Sequence, residues 1–479
     1  MKRFLTILLT ALALTGLLCV TASAASFNGP AKELAAIGML QGDGAGGYAL
    51  DKVPTRTQAA IMLVRLFGAE KEAVAAYTAG DLKCPFTDVN DTAAPFAAWL
   101  ADKGLASGTS ETTFGASNPC TAKAYTIFLL RALGYQDNVD FTSANAQEFA
   151  VSIGLLDTSA FTGTFLRDDL AAMTYQALGM DLKEGDTYLL ASLIESGAVD
   201  AGAARPTTEK IEAYRALQAS GQDAAKGMDT DLDAKMTMGV NLKGSDPSMN
   251  MTQKANTEVH GRIQMVLDKD VRMAADMTVS ATDGGLSDTQ RMEYWLKDGV
   301  VYLRSGAEAY QMPVDAGTDM DSLTSLMEQS SAQTGAAMLP FIDELTVTSS
   351  GGNTIYTLKL NSAFSGMING LTRQILGDMD AAGLNMDMRF TLEDSVITYT
   401  VGQDGRLKSA DTSMTMKAGV KASGGAESLA MDMTVDMDMT MEINAMGKGV
   451  KISYPDFSGF KKLIGGADGP TGISGTLAP

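Results

Sequence analysis

Acidic side chains form the one arrangement in this sequence that suggests a metal site. Asp229, Asp231 and Asp233 alternate along one stretch, and Asp436 and Asp438 alternate along another. Calcium binds clustered oxygen ligands, but alternate carboxylates on a strand stand about 6–7 Å apart. No loop with the spacing of a calcium-binding loop surrounds them. The pattern therefore favours a solvated strand face, and we predict no metal site.

Catalysis that depends on histidine finds little support in the sequence. His260 is the only histidine, and it falls on the polar side of a predicted strand, so paired or clustered histidines are excluded. No serine nucleophile elbow, phosphate-binding loop or dinucleotide fingerprint appears with the right flanking elements. We therefore expect a non-enzymatic protein without a cofactor. The alternative is an exported enzyme acting on cell-wall or extracellular polymers, with its acids among residues 228–462.

The N-terminus has the features of a signal peptide over residues 1–24. Lys2 and Arg3 precede an apolar core at 4–20, and an A-x-A cleavage site ends at Ala24. No later stretch has the roughly 20 apolar residues that a membrane-spanning helix needs. We therefore expect a secreted protein at the cell wall or cell surface, with no transmembrane segment in the mature chain.

Size and charge limit the organisation and the partners of the mature chain. About 455 residues are enough for two or more domains with their own cores. The net charge of −20 makes nucleic acid and anionic lipid surfaces poor partners. Two cysteines, Cys84 and Cys120, follow the signal peptide, and outside the cell they have the opportunity to form a disulfide. Two unrelated small apolar side chains are the other interpretation, and both stay open.

The front half is organised around a capped amphipathic helix at residues 54–68. Thr55 and Gln58 have the spacing of a capping box, and Gly68 ends the segment where a left-handed residue is favoured. One apolar stripe lies between them, formed by Ala59, Met62, Leu63, Leu66 and Phe67. The same stripe recurs before Gly134 and before Gly179. A glycine turn precedes each helix, at Gly38, Gly104 and Gly154, so the segment is a threefold internal repeat.

This pattern resembles the S-layer homology (SLH) module, which usually occurs as three tandem copies. The motifs that carry the resemblance are Phe86-Thr87-Asp88-Val89, the glycine turns, and Thr55-Arg56-Thr57-Gln58. They cover residues 28–200. The second repeat has Ala122 in place of the arginine of the last motif, whereas the third repeat keeps Arg167.

The resemblance implies a pseudo-threefold helical bundle whose grooves hold an anionic secondary cell-wall polysaccharide. Arg56 and Arg167 are the expected contacts, because a guanidinium at a helix N-terminus favours a carboxylate. Asp88, Gly42 and Gly108 are the expected supporting residues, and Trp99 either stacks on a sugar or fills the core. A further alternative is that the repeats only space the second half of the chain from the wall.

The second half shows strict alternation of apolar and polar residues, typical of antiparallel strands that are wet on one face. Leu232, Ala234, Met236, Met238 and Val240 alternate with polar residues, and a longer run extends from Leu429 to Ile443. Hairpin signals stand at Asp283-Gly284-Gly285, Lys297-Asp298-Gly299 and Gln403-Asp404-Gly405. Two helical segments, 319–342 and 362–379, are expected to cover the sheet.

The predicted fold class is therefore multidomain, with an all-α N-terminal part and an α+β C-terminal part. The latter is a large curved antiparallel sheet, a half-barrel covered by helices, and it resembles the LolA-like lipoprotein-carrier folds of exported proteins. The predicted boundaries are repeats at 28–80, 84–136 and 141–200, a connector at 201–227, the methionine-rich β domain at 228–462 and a disordered tail at 463–479.

Methionine is concentrated in the predicted sheet, since 25 of the 30 methionines lie from Met228 onward. Adaptable thioether side chains either pack a core or line a soft apolar cavity. Ordinary strands prefer valine and isoleucine. The choice of methionine therefore keeps open a cavity for a lipid-like ligand or a hydrophobic peptide.

Overall fold

The computed structural model describes residues 27–42, 44, 47–106, 108–156, 164–244, 251–267, 271–283, 286–313, 338–363, 385–424 and 427–462. The predicted signal peptide and the predicted tail lie outside these residues. Within them the chain forms a helical half followed by one sheet. The helices are α1 (Asn28–Ala36), α2 (Arg56–Leu66), α3 (Glu70–Ala79), α4 (Ala94–Asp102), α5 (Ala122–Ala132), α6 (Ala146–Ser152), α7 (Arg167–Leu178), α8 (Leu189–Glu195) and α9 (Ala201–Ser220).

The local signals of the helical repeat are confirmed except at the end of its third copy. Thr55 caps α2 in a capping box with Gln58, and Thr121 caps α5 by accepting the N–H of Ala124. The three turn glycines, Gly38, Gly104 and Gly154, all have positive φ angles of 66–78°. Gly68 and Gly134 also have positive φ, but Gly179 has φ −89°. The third repeat therefore ends without the left-handed residue that the sequence predicts.

The described strands belong to a single twelve-stranded sheet with the order β12-β6-β5-β4-β3-β2-β1-β11-β10-β9-β8-β7. Neighbouring strands are antiparallel except at one edge, where β12 runs parallel to β6. Their bounds are β1 (Gly227–Gly244), β2 (Met251–Val266), β3 (Arg272–Asp283), β4 (Leu286–Lys297), β5 (Val300–Ser305), β6 (Glu308–Pro313), β7 (Ile342–Ser350), β8 (Asn353–Leu360), β9 (Asn385–Val401), β10 (Leu407–Gly424), β11 (Glu427–Met446) and β12 (Lys461–Lys462).

The alternation predicted the strands and their faces correctly. Met236 and Met238 of β1 are buried, whereas Asp233, Lys235 and Asn241 of the same strand are exposed. The strands that flank the predicted hairpins pair antiparallel, β3 with β4, β4 with β5, and β9 with β10, and Gly284 and Gly285 of the first turn lie outside the described residues. The second turn places Asp298 at φ 53° and Gly299 at φ 71°, as a tight two-residue hairpin requires.

One hydrophobic core continues from the helical half into the β7–β9 end of the sheet. It joins Leu129 and Leu178 of the repeats to Ile211 of α9, and then to Ile342 of β7 and Leu358 of β8. Helix α9, predicted as a connector, buries Ile211 and Tyr214 and contacts both β7 and β9. It is therefore a packed layer between the two halves.

A polar cluster centred on Glu33 fixes this layer. Glu33 of α1 accepts hydrogen bonds from the hydroxyl of Tyr175 in α7 and from the hydroxyl of Thr207 in α9, the latter at 2.9 Å. The ammonium of Lys210 lies 2.9 Å from the other carboxylate oxygen and 3.5 Å from the carbonyl of Asp343 in β7. Three helices and the sheet edge therefore meet at one carboxylate.

The predicted fold class is wrong. The sheet is mixed, and the smaller helical half is not clearly all-α, because it contains isolated β-bridges such as Thr55–Pro119 and Asp181–Tyr188. The helical half also shares its main core with strands β7–β9. Local patterns specify each element but not which elements share a core.

The two predicted covering helices fall mainly outside the described residues. The described end of segment 319–342 contains a short 3-10 helix, Leu339–Phe341, and then begins β7. No described helix is long and apolar enough to cross a membrane.

We expect Glu33→Ala to lower the free energy of unfolding by about 2 kcal/mol, because it leaves Lys210 and two hydroxyls in a half-buried site without their shared acceptor. Urea unfolding measures this. Glu209→Ala, on the exposed side of α9, is the matched control and should stay within about 0.5 kcal/mol of the parent. Equal stability of the two variants would contradict the structural role of Glu33.

Candidate functional site

The two predicted arginines lie at two contacts between repeats, where a helix of one repeat meets the loop of another. Arg56, the first residue of α2, donates its backbone N–H to the carbonyl of Asn118 at 2.8 Å. Its Nε donates to the carbonyl of Phe114 at 3.0 Å, and the guanidinium carbon lies 4.9 Å from the centre of the Phe114 ring. Repeat 1 is thereby held on the loop of repeat 2.

Arg167, the first residue of α7, makes the same contacts on the loop of repeat 1. Its backbone N–H donates to the carbonyl of Lys52 at 2.8 Å, its Nε to that of Tyr48 at 2.9 Å, and its Nη2 to that of Gln41 at 3.2 Å. The side chain is buried. Both arginines therefore direct donors at backbone carbonyls within the protein.

Asp88 builds the loop that receives Arg56. Its carboxylate accepts the N–H groups of Phe114, Gly115 and Ala116 at 2.7, 2.8 and 2.9 Å. These bonds, led by that from Ala116, hold the pKa of the exposed Asp88 carboxyl below its usual range. The aspartate of the F-x-D-V motif thus fixes loop shape.

Trp99 takes the core-filling position. Its side chain is buried, its ring centre lies 5.8 Å from that of Phe67, and its Nε1 donates to Glu72 at 3.1 Å. The two predicted glycines lie in close loop turns. A Cβ at position 42 would lie 2.9 Å from the carbonyl oxygen of Gly47, and one at 108 would lie 2.5 Å from that of Thr113. Larger residues at either position would displace the loop.

An open cleft of about 520 Å³ lies beside Gly108 in repeat 2. It is lined by Pro85, Phe86, Ala101, Gly104, Leu105, Ala106, Gly108, Ser110, Glu111 and Arg131. Arg131 contributes the cationic group among these residues. Its Nε and Nη2 bind Asp137 at 2.8 and 2.9 Å, and its Nη1 donates to the carbonyl of Leu105.

Arg131 belongs to a repeated contact that the sequence motifs did not reveal. Arg65, Arg131 and Gln176 stand at the same position of helices α2, α5 and α7, one in each repeat. Arg65 donates to the carbonyl of Met39 at 2.9 Å, and Gln176 donates to that of Gly154 at 3.4 Å. Each side chain therefore braces the glycine turn of its own repeat. The signal available in the sequence is this constant offset, nine residues after the first residue of the helix.

The two described cysteines are free thiols. The sulfur of Cys84 lies 3.7 Å from the carbonyl oxygen of Phe86, and that of Cys120 lies 3.6 Å from that of Thr121. Burial raises the pKa of Cys120 to about 11, against an opposing effect of the nearby Arg56. The disulfide between them is not formed, and Cys120 behaves as a buried apolar side chain.

The sheet carries its apolar residues on one side, which we call the methionine face. It is the side bearing Ala234, Met236 and Met238 of β1 and the residues in register with them. Along β11 this face is buried at Val435 and Met437 and only half-buried at Met431 and Met433 on one side and Met439 and Met441 on the other. The middle of the stripe is therefore covered more fully than its ends.

The opposite face is polar, and its acids are bound by neighbouring side chains along the strands. Asp436 accepts from Thr415 at 2.8 Å, Asp438 from Ser413 at 2.7 Å, and Asp411 from Thr440 at 2.7 Å. His260 is exposed, as predicted, and hydrogen-bonds Asp233. Within the described residues, no group of three or more histidine, cysteine or acidic side chains is placed to hold a metal ion.

The chain is similar to a known cell wall protein. A middle cell wall protein of Brevibacillus brevis is 30% identical over 162 residues, which make up 32% of this chain and 14% of that protein. The chain therefore spans a small part of this relative's length. No family model matches the chain.

Two solved structures match the chain at low similarity. LprF from Mycobacterium bovis is 10% identical with a TM-score of 0.24 and covers 51% of this chain and 97% of its own. A beta-barrel-like protein of the domain of unknown function DUF1849 from Brucella abortus is 10% identical with a TM-score of 0.15, covering 43% of this chain and 98% of its own. TM-scores this low do not establish a shared fold.

Asp168, next to Arg167, makes stability depend on pH. It is buried and accepts the N–H of Phe27 at 2.7 Å, and burial raises its pKa to about 7 against the effect of that bond. The unfolded pKa is about 3.9, so between pH 4 and 7 the folded chain binds more protons than the unfolded chain. The free energy of unfolding is therefore higher at low pH, where Asp168 is protonated in the folded chain. It falls as the pH rises through this window.

We expect Asp168→Asn to remove most of this dependence, because an amide oxygen still accepts the N–H of Phe27 but does not titrate. Urea unfolding measures the free energy of unfolding at pH 4.5 and at pH 8. From the lower to the higher pH this free energy should fall by about 2 kcal/mol more in the parent than in the variant. Parallel losses in the two proteins would show that Asp168 is ionised in the folded state throughout.

Proposed function

We propose that the protein is a non-enzymatic cell-surface protein held at the cell wall by its three helical repeats. The similarity to a cell wall protein supports this proposal. In this proposal the cleft of repeat 2 takes a segment of secondary cell-wall polysaccharide. The cleft offers the ring of Phe86, the backbone around Gly108 and the polar rim of Ser110 and Glu111.

The arginines of these repeats are already bound within the protein, and this limits how they can take part in recognising a polysaccharide. Arg56 and Arg167 already donate to backbone carbonyls, and Arg131 is paired with Asp137. Recognition in the cleft therefore rests more on shape, ring contact and hydroxyl hydrogen bonds than on an unpaired guanidinium. The exposed Glu111 at the rim repels an anionic polymer.

A non-enzymatic role is favoured by the arrangement of the acids in the described sheet. Asp411, Asp436 and Asp438 are spread along the polar face and are each bound by a hydroxyl of a neighbouring strand. Catalytic acids need to converge on one reacting centre. An exported enzyme remains the alternative, and turnover of a wall polymer that vanishes on replacement of one Asp or Glu would establish it.

We expect Ser110→Trp to abolish co-sedimentation with purified wall sacculi, because an indole at the exposed rim fills the mouth of the cleft. Glu111→Gln should strengthen binding about two- to fivefold by removing repulsion worth about 0.5–1 kcal/mol. Ser287→Trp on β4 and Glu209→Gln on α9 are the matched controls and should bind as the parent does.

The comparison is made on sacculi with and without their secondary polysaccharide. Binding that requires the polysaccharide and is lost in Ser110→Trp supports the anchor. Equal binding to both kinds of sacculi, or binding by Ser110→Trp at the parental level, would contradict it.

A second proposed activity is uptake of a hydrophobic ligand on the methionine face. The β11 stripe, from Met431 to Met441, is half-buried at both ends, and this supports ligand uptake. Large exposed apolar areas on proteins commonly mark the binding site of a ligand or a partner. Soft thioether walls accept apolar ligands of many shapes.

We expect Met437→Asp to abolish ligand uptake and to cost about 3–5 kcal/mol of stability, since it places an unpaired charge at a buried position. Val396→Asp, at a partly exposed position on the polar face, is the control. Native mass spectrometry of protein purified from its own host should show a bound ligand in the parent and the control. A mass without any adduct in the parent would contradict ligand uptake.

A further inference from the structure

The methionine face contains an unbroken transverse row of sulfur. Met236 of β1 stands opposite Met437 of β11, and Met437 stands opposite Met414 of β10. Adjacent strands lie about 4.8 Å apart, so the three side chains are immediate neighbours on the same side of the sheet. In the next row, Met238 and Met416 stand on either side of Val435.

These residues form the centre of a compact cluster. Met236, Met238 and Met437 are only 5–6% exposed. Four partly buried methionines pack against them, namely Met414, Met416, Met431 and Met433. Seven thioethers are therefore gathered within one hydrophobic cluster, at a place where the sheet is otherwise lined by Val240, Ala255 and Val435.

Packing alone does not explain the choice of side chain. Valine and isoleucine are stiffer and better suited to a central strand, whereas methionine loses more side-chain freedom on burial. A thioether differs from them chemically in being a soft, neutral ligand without a proton to lose. Soft sulfur ligands select Cu(I) among the biological metal ions. Three rotatable bonds let the two outer side chains turn toward the middle sulfur.

We propose that Met236, Met437 and Met414 form a binding site for a soft monovalent cation, Cu(I), with one thioether from each of three adjacent strands. The net charge of −20 favours a cation. Asp436 and Asp438 flank Met437 on the opposite face and place negative charge just across the sheet. The partly buried Met431 and Met433 pack against the same cluster.

This site is separable from uptake of a hydrophobic ligand, because the two depend on different properties of the same side chains. Leucine keeps the volume and the apolar character of methionine at a cost below about 1.5 kcal/mol per site, but it has no sulfur. Methionine-to-leucine variants therefore remove the cation site and keep the apolar face.

The test uses the full chain with Cys19, Cys84 and Cys120 replaced by serine, because thiols bind the same cations. Ag(I) is the air-stable probe, titrated by calorimetry, and Cu(I) is then measured anaerobically by competition with a chromophoric chelator. We expect one Ag(I) per chain, and we expect the triple variant M236L/M437L/M414L to bind it at least tenfold more weakly. Met312→Leu, at a half-exposed methionine of β6, is the control and should bind as the parent does.

The proposal is overturned if the parent binds no Ag(I), or if the triple leucine variant binds it as tightly as the parent. X-ray absorption at the silver edge identifies the atoms that bind Ag(I) in the parent. This measurement needs no variant, so its result does not depend on whether the triple variant folds. A first shell made of sulfur alone supports the site, and a shell of oxygen or nitrogen overturns it.

Discussion

The structure depends on the junction at Glu33, where one carboxylate of α1 accepts hydrogen bonds from α7 and α9. Tyr175 of the third repeat and Thr207 and Lys210 of α9 all donate to it, and Lys210 also reaches the carbonyl of Asp343 in the sheet. A charged pair that is largely removed from water is stable only while its partners stay in place. The first repeat, the last repeat and the sheet edge therefore constrain one another, and the helical half holds the sheet in a fixed position.

Besides their shared core, the repeats are connected by hydrogen bonds to backbone carbonyls. The N-termini of α2 and α7 each donate to carbonyls of a neighbouring loop, and Arg56 and Arg167 extend this contact through their side chains. The free N–H groups of a helix start are thereby satisfied within the protein. The cleft of repeat 2 remains as the open surface beside this contact. In the proposed function the wall polymer binds at that cleft, and the arginines shape the loops around it.

Short-range features of the fold were predictable from the sequence, and long-range features were not. The capping box at Thr55, the turn at Gly154 and the turn at Asp298 each depend on a few adjacent residues, so their patterns are explicit. Helix α3 was not predicted; it begins at Glu70, and its N-cap residue, Ala69, provides no side-chain cap. The position of Arg56 was predicted, but its acceptor in repeat 2 was not, because nothing in a repeat specifies which neighbour it contacts. The packing of α9 on the sheet was not predictable for the same reason, since Lys210 and Asp343 are far apart in the chain.

The central claim is that the helical half and the sheet share one core and unfold together. The chain has two tryptophans, Trp99 in α4 and Trp295 in β4, and each reports on one half. Trp295→Phe leaves fluorescence from the helical half alone, and Trp99→Phe leaves that from the sheet. We predict that urea unfolding of the two variants, corrected for their stabilities by circular dichroism, gives coincident fluorescence transitions. Two separated transitions would contradict a shared core and would show that the two halves are independent domains.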